Sequence, residues 1–232
     1  MAENTENQGF EPAEISEGEE VQSFISKYKT LIIIASVAIV AIVGVIYYMN
    51  SVQNANEKEA AEKLASILPA YEQMDYTKAL YGDSALPELK RYGLIRIAKE
   101  FDGTAPGRTA ALYAGNSLLA TGNFEEARKY FEIAQSADSR VVSFGATAGI
   151  GSCLENDGKY AEAARKYDEA ASMAEAPAVR NRYQYYAGLC YEQTGDNNKA
   201  EEIYRKIIAE EKFSEIAGYA KSGLARLGMK IE

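Results

Sequence analysis

Histidine and tryptophan are both absent from this chain of 232 residues, and cysteine occurs only twice. Without histidine no Ser-His-Asp or Cys-His arrangement can be assembled, and the commonest metal ligand is missing. No Walker loop, no CxxC pair and no G-x-S-x-G elbow occurs. The glycine-rich run Gly149-Ile150-Gly151-Ser152-Cys153 lacks the third glycine of a dinucleotide loop and falls inside a helical pattern. Carboxylate pairs such as Glu125-Glu126 and Glu201-Glu202 sit at helix starts, where they favour the helix dipole. The chain therefore reads as a non-enzyme with no cofactor and no metal. Lys and Arg number 25 against 34 Asp and Glu, a net charge of −9 with no basic cluster, which argues against nucleic acid.

Charge is also missing where it matters most for a membrane. Leu31 to Met49 carries none, and its nineteen residues span roughly the 30 Å of a hydrocarbon core as a helix. Tyr28, Tyr47 and Tyr48 suit the interfacial belts. A cleaved signal peptide is the competing reading, but its apolar run is shorter and its leader basic. Residues 27–52 are thus read as a permanent transmembrane signal anchor. Residues 1–26 hold seven carboxylates and no Lys or Arg, and read as a disordered acidic leader. Lys27 and Lys29 abut the first end of the span, while Lys58 is the nearest positive residue beyond the other. By the positive-inside rule the N-terminus is cytoplasmic.

What is abundant is repetition. Gly115, Gly151 and Gly188 recur at spacings of 36 (151−115) and 37 (188−151). Each is followed seven residues later by Gly122, Gly158 or Gly195, and five further on by Ala127, Ala163 or Ala200. The second glycine of each set suits the left-handed position that ends a helix. Asn123, with Glu126 three later, has the spacing of a capping box, and Asp196 suits the same role. Lys159 has no capping side chain, so its helix is expected to start less firmly. Glycines inside helices cost about 1 kcal/mol each relative to alanine, so their recurrence at one phase implies close approach of a neighbour. Phe131, Tyr167 and Tyr204 lie four residues beyond the alanines, on the same helix face, and are expected to fill the space between hairpins. Cys153 and Cys190 share one phase on successive first helices. Packed axes about 8–10 Å apart are too distant for a disulfide, so both are expected to be free core thiols.

The pattern resembles the tetratricopeptide repeat, W-x2-L-G-x2-Y…A-x3-F…P. The matching residues are Ala114-Gly115-x2-Leu118…Ala127-x3-Phe131, Ile150-Gly151-x2-Leu154…Ala163-x3-Tyr167 and Ala187-Gly188-x2-Tyr191…Ala200-x3-Tyr204. The Trp and the closing proline are absent. The resemblance implies an all-α chain: a transmembrane helix, then a helix-turn-helix solenoid. Residues 106–213 hold the three repeats, 53–105 a degenerate hairpin and 214–232 a capping helix. Pro69 is expected to kink or end the helix it lies in, Tyr81-Gly82-Asp83-Ser84 to form a turn, and Pro87 to open another helix.

An acidic leader, one anchor and an extracytoplasmic repeat domain resemble the layout of the ancillary subunit family of the bacterial SecYEG translocon. The junction Phe101-Asp102-Gly103-Thr104-x2-Gly107-x2-Ala110 resembles a segment common in envelope proteins of this kind. This implies a bacterial inner-membrane protein with a periplasmic repeat domain that assists exported proteins through protein contacts, its partners being the translocon or a membrane chaperone. A scaffold for envelope assembly or division, and a cytoplasm-facing regulator, share the same architecture. The family's concave groove implies a peptide surface at Leu112, Asn116 and Leu119; Ala148, Ser152 and Glu155; and Tyr185, Leu189 and Glu192. The two glutamates are expected to disfavour a chain-terminal carboxylate and to favour basic or neutral segments. Tyr185 is the expected anchor.

Overall fold

The structure, a computed structural model, describes residues 17–83 and 92–230. Among these every regular element is an α-helix, and the chain divides into two units, Met1–Val52 and Gln53–Glu232.

In the first unit the chain is helical from Glu17, in the helix α1 (Glu17–Glu72). Residues 17–26, read from sequence as part of a disordered leader, are helical here. Extending a helix that already exists adds a hydrogen bond per residue without a new nucleus. Residues 1–16 lie outside the described residues. The side chains from Phe24 to Val52 are exposed, and an 18-residue window of this helix reaches a mean hydropathy of 2.8. By length and composition this helix can cross a membrane.

The second unit begins within α1. Pro69 sits inside the helix three residues before its end, and Met74 follows at a φ of 61°. The short α2 (Tyr76–Tyr81) is capped by Asp75 and gives way to Gly82 at a φ of 92°; Ser84, the last residue of the expected turn, lies outside the described residues. Pro87 and Leu89 lie outside the described residues. The helix α3 (Leu94–Glu100) buries Leu94, Ile97 and Ala98 and gives way to Gly103 at a φ of 87°.

Three hairpins follow: α4 (Ala105–Ala120) with α5 (Phe124–Gln135), α6 (Arg140–Asn156) with α7 (Tyr160–Met173), and α8 (Pro177–Thr194) with α9 (Asn197–Glu210). The helix α10 (Glu215–Arg226) closes the array. Each packs on its predecessor, and α4 also meets α6 and α8 meets α10, while α6 and α8 make no comparably close approach. Gly122, Gly158 and Gly195 have φ of 80°, 73° and 79°. Each end is closed by paired backbone bonds: Gly122 N to Leu119 O and Asn123 N to Leu118 O in the first hairpin, with equivalents in the other two. These satisfy carbonyls the helix would otherwise leave open.

One cap departs from expectation. Asp196 accepts from Lys199 N at 3.2 Å, but Asn123 makes no capping bond. Its amide instead donates to Thr121 Oγ1 at 3.1 Å. The two residues have nearly the same backbone angles. The difference is chemical: an amide has a donor to give its neighbour, whereas a carboxylate can only accept.

The inner glycines face rings. A methyl on Gly115 would lie 2.6 Å from Phe131, one on Gly151 2.9 Å from Tyr167, and one on Gly188 2.7 Å from Tyr204. Each of these rings is 3 % exposed or less, so they fill the space between hairpins as expected. The far side of Phe131 rests on Gly149, and that of Tyr204 on Gly223. Tyr167 meets Tyr186 instead, with ring centroids 5.5 Å apart. Tyr186 and Gly149 hold the same phase in their helices, two residues before the repeat glycine. A ring in place of a hydrogen widens that joint, in keeping with the greater separation of α6 and α8.

Candidate functional site

The first helices of the hairpins carry the positions expected to line a groove, and their side chains are largely engaged within the chain. Leu112 is 9 % exposed and packs across to Gly145 on α6. Asn116 Nδ2 donates to the Tyr71 hydroxyl at 3.2 Å, so the end of α1 covers it. Leu119 is half-buried against the core, and Ala148 is buried. Leu189 is partly exposed.

Glu155 and Glu192 each take a proton donor from the second helix of their own hairpin. The Tyr167 hydroxyl donates to Glu155 Oε2 at 2.7 Å and lies 3.0 Å from Ser152 Oγ. The Tyr204 hydroxyl donates to Glu192, which also receives Arg226 Nη2 at 2.8 Å. Burial, followed for Tyr204 by the neighbouring carboxylate, pushes both phenols well above their ordinary range. Arg226 is raised by its bond to Glu192. The glutamate lies four residues after the repeat glycine and the tyrosine sixteen after it, in both hairpins. In the first hairpin the same two positions hold Leu119 and Phe131. Carboxylate and hydroxyl are present together or absent together, a signal legible in the sequence once the repeats are aligned.

Of the expected residues, Tyr185 borders an open cavity. Its ring lies 5.7 Å from that of Tyr204 and 5.8 Å from that of Tyr219 on α10. A cavity of about 420 Å³ opens between α8 and α10, lined by Tyr185, Tyr186, Tyr219, Arg182, Glu211 and Glu215 among others. Glu211 Oε2 is buried without a hydrogen-bond partner. Tyr186 and Tyr219 are 37 % and 48 % exposed. Only Tyr185 of this set was singled out from sequence. The run Tyr183-x-Tyr185-Tyr186 opposite Tyr219 is the available signal, but the sequence reading takes residues 214–232 only as a capping helix.

A helical array with paired turn glycines and ring-filled joints defines the class of stacked helix-turn-helix repeats. Residues 112–180 and 154–215 match the model of the tetratricopeptide repeat, a family whose members are non-enzymatic scaffolds for protein contacts. No curated protein matches the chain.

Proposed function

We propose that the protein is a membrane-anchored scaffold that holds extended or partly folded polypeptide, its repeats standing on the periplasmic side of a bacterial inner membrane beside the SecYEG translocon. The anchor is Leu31–Met49, and Lys27 and Lys29 favour a cytoplasmic N-terminus. The translocon assignment rests on the layout of leader, anchor and repeats. The observation that carries the binding role is the cavity between α8 and α10. Tyrosine rings offer large contact area at low entropy cost. Glu211 and Glu215 beside them favour neutral or basic segments over acidic ones, with Arg182 free to contact a backbone carbonyl.

A photo-crosslinking side chain at Tyr186 in intact cells tests this. Adducts with translocon subunits and newly exported chains are expected. Adducts confined to division or wall-assembly proteins would instead favour an envelope scaffold. Adducts confined to cytoplasmic proteins would reverse the orientation.

A further inference from the structure

The two edges of the repeat unit differ in chemistry. One edge carries the turns within hairpins, which are short and polar: Thr121-Gly122-Asn123, Asp157-Gly158-Lys159 and Gly195-Asp196. Met74, 71 % exposed, is the apolar exception there. The other edge carries the loops between hairpins. A ladder of contacts joins those loops in sequence. Arg108 donates to Ser136, Arg140 to the Met173 carbonyl at 2.9 Å, and Arg180 pairs with Glu210 at 3.4 Å. On this edge stand the two most exposed large apolar side chains described in the unit, Phe213 at 97 % and Val141 at 76 %.

The first residue of the unit belongs to the same edge. Gln53 Nε2 reaches Gly103 O at 3.3 Å, and Glu57 Oε1 accepts from Ala105 N at 3.1 Å, both at the loop that opens α4. Gln53 follows Met49, the last residue of the apolar span, by four residues, and four residues reach at most about 14 Å. Whatever angle the span adopts, this edge is the one tethered to it.

We propose that the loop edge of the repeat unit rests on the phospholipid bilayer, with Phe213 and Val141 entering its interface; this builds on the anchor assigned above. A nearly bare phenyl ring in water forgoes the gain of burial, and the edge it stands on is the one that Gln53 joins to the apolar span. Asp102, Asp138, Glu175 and Glu211 lie on the same loops, so attraction to anionic headgroups is not the driving force. Lys212, beside Phe213, can extend its ammonium into the headgroups while its stem stays with the ring. The contact is therefore expected to persist in zwitterionic lipid and at high salt.

The absence of tryptophan makes the test clean. Single variants Phe213→Trp, Val141→Trp, Asn123→Trp and Ile39→Trp of the full chain are reconstituted in phosphatidylcholine vesicles containing brominated acyl chains. Helicity is checked by circular dichroism. Tryptophan itself favours interfaces, and Asn123→Trp, on the opposite edge, carries that bias as the reference. Expected are strong quenching at position 39, a blue-shifted emission losing much of its intensity at 213 and 141, and no quenching at 123. Quenching at 39 with none at 213 and 141 overturns the edge contact while leaving the anchor intact, and would make this edge a seat for protein. Equal quenching at 123 and 213 overturns it as well. Absence of quenching at 39 removes the anchor and the proposal with it.

Discussion

The paired exchange of Glu155 and Tyr167 for Leu and Phe poses a quantitative test of what holds the hairpins together. Tyr167 is 3 % exposed and its hydroxyl is shared between Glu155 and Ser152. Removing that hydroxyl in Tyr167→Phe deprives a carboxylate of a hydrogen bond worth about 1.5–3 kcal/mol. Glu155 is only half-buried, so water recovers part, and a loss of about 1.5 kcal/mol is expected. Glu155→Leu leaves the buried hydroxyl with Ser152 alone, at a cost of about 1 kcal/mol. The double variant recreates the Leu119–Phe131 pair that the first hairpin already uses. Replacing both partners by apolar groups can be nearly neutral, so the double variant should match the parent. The coupling between the two changes is then about 2.5 kcal/mol, within the range for residues of one network. Urea unfolding of the detergent-solubilised chain, followed by helical circular dichroism, measures all four members of the cycle. For a unit of this size about 1 kcal/mol corresponds to roughly 2–4 °C in melting temperature, so Tyr167→Phe should melt visibly earlier and the double variant should not. Strict additivity of the two single effects would refute the idea that carboxylate and hydroxyl act as one unit.

Cys153 and Cys190 are each 1 % exposed, and burial pushes their thiols up to about 11 and about 12. Neither should react with iodoacetamide at neutral pH until the chain is unfolded, and mass mapping without reduction should find no bond between them. Because both values are raised on folding, their contribution to stability is complete below pH 9 and is lost as the pH rises through 11 and 12, so an alkaline melt should fall from about pH 9 upward. Within α10, Gly218→Ala meets nothing within 4 Å and should stabilise the fold through helix propensity by up to about 1 kcal/mol, read as a higher melting temperature. Gly223→Ala, whose methyl would lie 2.5 Å from Tyr204, should destabilise the fold by about 1–3 kcal/mol through overpacking, and equal effects at the two sites would show that the joint can yield.

The sequence made the repeats legible because their determinants are local or strictly periodic. The turn glycines follow from a left-handed φ, and the rings of Phe131, Tyr167 and Tyr204 follow from helix phase. Features that depend on competition or on distant partners were not accessible in the same way. Asn123 fitted the capping pattern, but nothing in the spacing showed that Thr121 would claim its amide. The groove positions came from a resemblance, which carries no information about occupancy by the chain's own residues. Tyr71 reaches Asn116 across 45 residues, and Arg226 reaches Glu192 across 34. Glu155 and Glu192 were read for their charge alone, although aligning the hairpins would have paired each with its tyrosine.

The joints between hairpins also fix the order in which the hairpins can be strung. Phe131 is received by a glycine on the next hairpin, Gly149, and Tyr204 by Gly223, whereas Tyr167 is received by Tyr186. The units are alike in outline but not exchangeable. Excising the middle hairpin would bring α8 against α5 and present the Tyr186 ring where Phe131 now finds a bare backbone, with room there for no more than a hydrogen. Lengthening the array by copying the middle hairpin would set Tyr167 of the first copy against Gly149 of the second, leaving a gap where Tyr186 now packs. The chain is thus written like a sentence whose words agree with their neighbours, and recombination between its repeats would be filtered at the joints before any question of partner or ligand arose.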